Sequence, residues 1–150
     1  MKRIALYVLI LALVWVIPVE RTDVAKLSPI EVIAVYQTPD GVELQADTGD
    51  IGAGADAMSA LENMRQTSPA IIYLDTAEYL LIGQGAEQAT EELRKELKAS
   101  LKLCSVNGNV DLLKAAKYLD VHGQLPTLRS WNQENSLPIL TVKNGKMTIK

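Results

Sequence analysis

The hydrophobic positions of this chain form one long apolar run, followed by short segments with strand-like or helical spacing. The run extends from Ile4 to Ile17 and directly follows Lys2 and Arg3. A positive tip before an apolar run is typical of an export signal, and about 17 apolar residues is the lower limit for a membrane span. Bulky residues follow the run instead of an Ala-x-Ala pattern, so we predict an uncleaved signal anchor. A cleaved signal peptide and a buried core helix are the alternatives.

This pattern divides the chain into three parts. We expect residues 1–19 to be the signal anchor, with residues 4–19 in contact with the membrane. We expect residues 20–28 to be a polar tether and residues 29–150 to be one domain. Because Lys2 and Arg3 favour an N-terminus on the inner side, the protein is predicted to be single-pass with its domain on the extracytoplasmic side.

The domain contains several predicted strands, since alternating or β-branched runs indicate strands. The pair 137–143 and 146–150 flanks Asn144-Gly145, which is a strong signal for a β-hairpin. A first hairpin is predicted around the Thr38–Gly41 turn, whereas residues 48–54 read as a flexible connecting loop. Two short strands are predicted to be buried, Ala70–Leu74 and Tyr79–Ile82. The other predicted strands are Ile30–Tyr36, Val42–Asp47, Leu101–Val106, Leu137–Lys143 and Lys146–Lys150.

Helical spacing of apolar residues predicts the remaining elements. The predicted helices are Asp56–Gln66, Ala86–Ser100, Val110–Leu119 with Asn109 as its N-cap, and a short helix over Thr127–Glu134 that contains Trp131. The residues expected on their buried sides are Ala57, Ala60, Leu61 and Met64, then Ala86, Ala89, Leu93 and Leu97, and finally Leu112, Leu113, Ala116 and Leu119. The element order predicts an α+β fold in which helices pack on a mixed β-sheet, preceded by the N-terminal membrane segment.

Charge and cysteine content exclude several classes of protein. The formal net charge is −3, and Lys2 and Arg3 lie in the predicted anchor, so the domain itself is more acidic still. Nucleic-acid binding needs clustered Lys and Arg, so we predict no nucleic-acid partner. Cys104 is the sole cysteine, so no disulfide can form within the chain. We expect Cys104 to be a buried thiol, and a reactive or intermolecular thiol is the alternative.

Candidate catalytic and metal-binding residues are few. His122 is the only histidine and is expected in an exposed loop over 120–125. The acidic residues Asp40, Asp47 and Asp50 lie at turns but do not match the spacing of an EF-hand loop. The adjacent Glu91 and Glu92 are expected on a solvated helix surface, where Glu91 can pair with a lysine one turn away.

The glycines provide no phosphate-binding motif. Gly49, Gly52 and Gly54 have neither the Gly-Lys-Ser/Thr ending of a P-loop nor the order of a dinucleotide fingerprint. We therefore predict no catalytic, cofactor-binding or metal-binding residues, no cofactor, and no enzymatic activity. A small-molecule sensor or a hydrolase whose site is assembled by folding remains a further hypothesis.

Four segments of the chain, in this order, resemble the N-terminal domain of the Ger(x)C (GerAC-like) spore-germination proteins. The segments read PIEVIAVYQTPDGVELQAD, ADAMSALENMRQTSPAIIYLDTAEYLLIGQGAEQATEELRKEL, LKLCSVNGNVDLLKAA and LPILTVKNGKMTIK. The resemblance covers about residues 20–150, and its motifs are structural. Two departures are the missing cysteine after the apolar run and the missing further domains after Lys150.

The resemblance implies an extracytoplasmic, non-catalytic subunit that works beside membrane partners in spore germination, or an accessory or truncated relative of one. It implies no binding residues. A ring-forming or scaffold domain of an envelope or sporulation complex is the alternative. Both hypotheses require membrane-protein partners or self-association.

Overall fold

The computed structural model describes residues 27–150, which form a seven-stranded mixed β-sheet, a separate two-stranded sheet and three helices. The strands are β1 (Leu27–Pro29), β2 (Val32–Thr38), β3 (Gly41–Ala46), β4 (Ile51–Gly54), β5 (Ile71–Tyr73), β6 (Tyr79–Gly83), β7 (Lys102–Val106), β8 (Ile139–Lys143) and β9 (Lys146–Ile149). The helices are α1 (Ala57–Thr67), α2 (Glu87–Leu93) and α3 (Leu112–His122), and a 3-10 turn covers Leu74–Thr76. The predicted α+β class with helices on a mixed sheet is confirmed.

The seven-stranded sheet has a parallel centre and an antiparallel hairpin at each edge. Its strand order is β4-β3-β2-β6-β7-β8-β9. Strands β2, β6, β7 and β8 run parallel, whereas β3–β4 and β8–β9 are antiparallel pairs. The remaining strands, β1 and β5, pair with each other in parallel. The two edges of the large sheet are therefore β4 and β9.

Each face of this sheet covers its own hydrophobic core. On one face, called the α1/α2 face, buried side chains of β2, β3, β6 and β7 pack against α1 and α2. On the other, called the α3 face, buried side chains of β2, β6, β7 and β8 pack against α3. Because side chains alternate along a strand, the two cores share the same central strands. Two helices thus cover one face and one helix covers the other.

The β8–β9 hairpin confirms the Asn-Gly prediction. Asn144 has φ 51° and Gly145 has φ 73°, so both turn residues adopt the left-handed conformation. A two-residue turn with both φ angles positive matches the twist of the flanking strands. This turn places Lys143 directly opposite Lys146.

Helix α1 also follows its prediction closely. Asp56 caps the helix by accepting the backbone N–H of Ser59 at 2.7 Å, while the Ser59 hydroxyl accepts the N–H of Asp56 at 3.1 Å. This reciprocal arrangement is a capping box. Its buried residues are the four predicted ones, Ala57, Ala60, Leu61 and Met64.

The prediction of a connecting loop over residues 48–54 is wrong for its second half, since Ile51–Gly54 forms β4. A Cβ atom on Gly52 would lie 2.6 Å from Met64 Cβ, and one on Gly54 would lie 2.7 Å from Ser59 Oγ. The glycines therefore allow α1 to lie directly on an edge strand. The glycines that suggested a flexible loop instead permit close packing of α1 on β4.

The predicted helix over 86–100 is shorter than expected. Helix α2 ends at Leu93, and the chain continues in tight turns in which the N–H of Glu96 donates to the carbonyl of Leu93. The tighter winding still brings Leu97 into the core, as predicted. The clearest sequence pattern therefore identified the buried residues correctly and the helix length incorrectly.

Helix α3 begins later than predicted. Its N-cap is Asp111 and not Asn109, because the Asp111 carboxylate accepts the N–H of Lys114 at 3.1 Å. The shift turns Leu113 outward, and Ala115 takes the buried position expected for it. His122, predicted in a loop, is the last residue of the helix.

Three further segments differ from their predictions. Residues 127–134 form turns and no helix, although Trp131 is buried. The strand predicted as buried over 70–74 is β5, of which only Ile72 is buried, because β5 pairs with β1 outside the main sheet. Leu27 and Ser28, expected in the tether, lie in β1.

The predicted signal anchor, residues 1–19, and residues 20–26 of the predicted tether lie outside the described residues. Among residues 27–150, no helix is long and apolar enough to cross a membrane.

Candidate interaction surfaces

Cys104 and His122 are the sole cysteine and the sole histidine of the chain, and packing explains the position of each. Cys104 is buried, and its S–H donates to the carbonyl of Pro138 at 3.1 Å. Burial raises the pKa of Cys104 to about 11, so at neutral pH the thiol is protonated and a poor nucleophile. His122 stacks on Tyr118 in the last turn of α3, with ring centroids 4.7 Å apart. The two residues lie on different elements and form no nucleophile–base pair.

A surface depression of about 660 Å³ lies between the start of α1 and the outer side of α2. Four carboxylates line it, but each already has a structural partner within the described residues. The partners are Ser59 for Asp56, Arg94 for Glu91, the N–H of Ala57 for Glu92, and Arg65 for Glu96. Hydrogen bonds from Ser59 also lower the pKa of the Asp56 carboxyl. These carboxylates therefore do not form a free acid–base pair.

Two of the carboxylates at the turns also have hydrogen-bond partners within the chain. Asp47 accepts the N–H of Glu31 at 3.1 Å, and Asp50 accepts the hydroxyl of Thr48 at 2.6 Å. Asp40 lies in the β2–β3 turn. Within residues 27–150, no group of three or more His, Cys, Asp or Glu side chains is placed to hold a metal ion.

Arg94 has a structural role that the sequence did not predict. Its guanidinium binds both carboxylate oxygens of Glu91, at 2.7 and 2.8 Å, where the sequence predicted a pairing of Glu91 with Lys95. It also donates to the carbonyls of Leu128 and Trp131 and lies over the Trp131 ring. Arg94 therefore fixes the segment that leads from α3 to β8. No local sequence signal links Arg94 to these two carbonyls, because Leu128 and Trp131 lie 34 and 37 positions further along the chain.

The most distinctive surface feature is the uneven cover of the sheet. The buried core on the α3 face contains no residue of β3 or β4, and the buried core on the α1/α2 face contains no residue of β8 or β9. The sheet therefore has two uncovered surfaces, on opposite faces and at opposite edges.

The first uncovered surface lies on the α3 face of β3 and β4. Gly52 and Gly54 face α1, so Ile51 projects from the other side and is 53% exposed. Leu113 of α3 is 55% exposed, and it lines a groove of about 230 Å³ together with Ile51 and Asp47. Glu43 shares this face because it lies opposite Ala53.

The second uncovered surface lies on the α1/α2 face of β8 and β9. Leu140 is buried on the α3 face, so Ile139 and Lys143 project from the uncovered side. Lys146 lies on the same side because it is the cross-strand partner of Lys143. Ile139 is 41% exposed, and Lys150 follows β9 opposite it.

The two ends of the sheet carry opposite charge. Residues 39–56, which include β3 and β4, contain five acidic residues and no Lys or Arg. Residues 137–150, which include β8 and β9, contain three lysines and no acidic residue. Within the described residues, the three ion pairs lie elsewhere, at Arg65–Glu96, Arg94–Glu91 and Lys114–Asp111. Glu87 and Glu134 line a depression with Ile139, and Asp111, which pairs with Lys114, lines the groove with Ile51 and Leu113. None of the ion pairs includes Glu43, Lys143 or Lys146.

Comparisons of the chain with models of protein families, with curated proteins and with solved structures find no match. The resemblance to the Ger(x)C proteins therefore stays a prediction from the sequence.

Proposed function

We propose that this chain is a membrane-anchored, non-catalytic protein whose extracytoplasmic domain acts through protein–protein contacts in spore germination, as the resemblance to the Ger(x)C N-terminal domain implies. The apolar run 4–17 supports the anchor. The uncovered surfaces support the contacts, and they carry the proposal.

Exposed apolar side chains next to unpaired charges are typical of a contact surface. A protein interface combines an apolar centre with a polar rim, and Ile51 and Leu113 beside Glu43 and Asp47 have this composition. An edge strand such as β4 also presents backbone groups that another chain can bind. The paired state of the carboxylates in the depression between α1 and α2, by contrast, favours a structural over a catalytic use.

The proposal is tested by photo-crosslinking in native membranes. A photoreactive residue replaces Ile51 in the tagged full-length chain, and a matched control replaces Val121, which is 74% exposed on α3. Crosslinks from position 51 to membrane subunits of a germinant receptor, absent from position 121, would support the proposal. Equal crosslinking from both positions, or none from position 51, would argue against it.

The alternative, a ring-forming or scaffold domain, is favoured by one observation. The two uncovered surfaces lie at opposite edges of the sheet and are oppositely charged, as a repeating contact between copies requires. Crosslinks from position 51 to other copies of the same chain would favour this alternative over the germination role.

A further inference from the structure

We propose that the acidic end surface of one copy of this chain binds the basic end surface of a second copy, so that copies associate head to tail. The acidic end surface is the α3 face of β3 and β4, with Glu43, Asp47, Ile51 and Leu113. The basic end surface is the α1/α2 face of β8 and β9, with Ile139, Lys143, Lys146 and Lys150. This inference rests on the proposed use of these surfaces in protein contacts. It develops the scaffold alternative, because it places a second copy of the chain at the surface where a receptor subunit would otherwise bind.

Charge complementarity is the first argument. Lys143 and Lys146 are direct cross-strand partners, and like charges placed opposite each other destabilise a sheet. Neither lysine takes part in the ion pairs of the described residues, although Glu87 and Glu134 line a depression with Ile139 at the start of the same hairpin. At the other end, the Glu43 carboxylate accepts a hydrogen bond from the Gln45 amide at 2.7 Å and takes part in none of the ion pairs of the described residues. Lys143 and Lys146 at one end and Glu43 at the other therefore have no ion-pair partner among the described residues.

The apolar residues are the second argument. Ile51 and Leu113 on one surface and Ile139 on the other are exposed among the charged side chains. Two sheets that pack face to face lie about 10 Å apart and bury such side chains between them. Contact between the two surfaces would cover both apolar groups and pair the surrounding charges.

The symmetry of the contact follows from the charges. A two-fold contact would place each surface against its own copy, lysine against lysine or carboxylate against carboxylate. A contact between unlike surfaces is heterologous and repeats from copy to copy, giving a ring if the rotation closes and a filament if it does not. Because the two surfaces lie at opposite edges of the sheet, binding at one leaves the other free.

The test uses full-length protein in mild detergent and measures association by sedimentation velocity. A basic-surface variant carries Lys143→Glu with Lys146→Glu, and an acidic-surface variant carries Glu43→Lys with Ile51→Lys. A control variant carries Lys95→Glu with Lys117→Glu, which makes the same charge change as the first variant at exposed positions in the turns after α2 and on α3.

The wild-type and control proteins should associate, and about 0.5 M salt should weaken that association because it screens exposed charges. Either surface variant alone should associate at least about tenfold more weakly. A mixture of the acidic-surface variant with a Lys143→Gln, Lys146→Gln variant should form dimers that grow no further, since each variant supplies one intact surface and the two altered surfaces are not oppositely charged. This result would distinguish a heterologous contact from a two-fold one.

A wild-type chain that stays monomeric at all concentrations would overturn the inference, as would a basic-surface variant that associates like wild type. If the reversed charges prevent folding, Lys143→Gln with Lys146→Gln provides the same comparison without repulsion. A monomeric wild type whose position 51 crosslinks to receptor subunits would refute self-association and leave the proposed function standing.

Discussion

Arg94 should contribute more to stability than any other surface arginine in an ion pair, because it binds backbone as well as carboxylate. Its pairing with Glu91 is partly exposed and should contribute at most about 1 kcal/mol. Its two donations to the carbonyls of Leu128 and Trp131, at 2.7 and 3.1 Å, are charge-assisted bonds in a part-buried site. Hydrogen bonds of this type contribute about 1.5–3 kcal/mol each when well formed, and the longer one should lie at the low end.

We therefore expect Arg94→Met to lower the free energy of unfolding by about 3–5 kcal/mol. Arg65→Met is the matched control, because Arg65 makes one exposed ion pair with Glu96 and should cost less than about 1 kcal/mol. Glu91→Gln should resemble the control, since it removes the ion pair and keeps the carbonyl contacts. Urea unfolding of the full-length chain in mild detergent, followed by tryptophan fluorescence, measures all three. Equal losses for Arg94→Met and Arg65→Met would show that the carbonyl contacts of Arg94 add no stability.

Three further predictions concern the core and the helix ends. Because burial raises the pKa of Cys104 to about 11, its thiol should resist maleimide at pH 8 in the folded chain and react on unfolding; rapid reaction in the folded chain would contradict its burial. Gly52→Ala should lower the free energy of unfolding by about 1–3 kcal/mol, because its Cβ would lie 2.8 Å from the Met64 backbone N. An unchanged urea midpoint would show that α1 can move away from β4. Hydrogen bonds from the first turns of α1 and α3 lower the pKa values of Asp56 and Asp111. The two caps therefore stabilise the fold above the unfolded carboxyl pKa of about 3.9, and this stabilisation is lost as the pH falls through the lower pKa values of the folded state. Thermal unfolding between pH 2 and pH 6 should therefore show a smaller acid-side loss for Asp111→Asn than for wild type, and equal losses would contradict the assignment.

Local patterns predicted the parts of the fold that local interactions determine. The Asn144-Gly145 turn and the buried face of α1 follow from conformational preference and helical spacing, and both are confirmed. The buried strand β6 was also predicted, since a short run of apolar residues suits a strand covered on both faces. These features depend on neighbours within a few positions in the chain.

The features that the sequence did not predict depend on distant residues. Gly52 reads as a loop residue until α1 is known to pack directly on it. Arg94 reads as a solvated charge, although its partners lie more than 30 positions away. The two end surfaces share this property, because strand order decides that the acidic hairpin and the lysine-rich hairpin occupy opposite edges. A single sequence contains no direct signal for strand order.

Cysteine labelling shows whether the uncovered sheet surfaces are occupied by protein in the membrane. In a Cys104→Ala background, single cysteines at positions 51, 139 and 121 are labelled with maleimide, in native membranes and after dilution in detergent. Positions 51 and 139 should be protected in membranes and label freely after dilution, while position 121 should label equally in both. Labelling of positions 51 and 139 in membranes at the rate of position 121 would contradict the occupation of these surfaces.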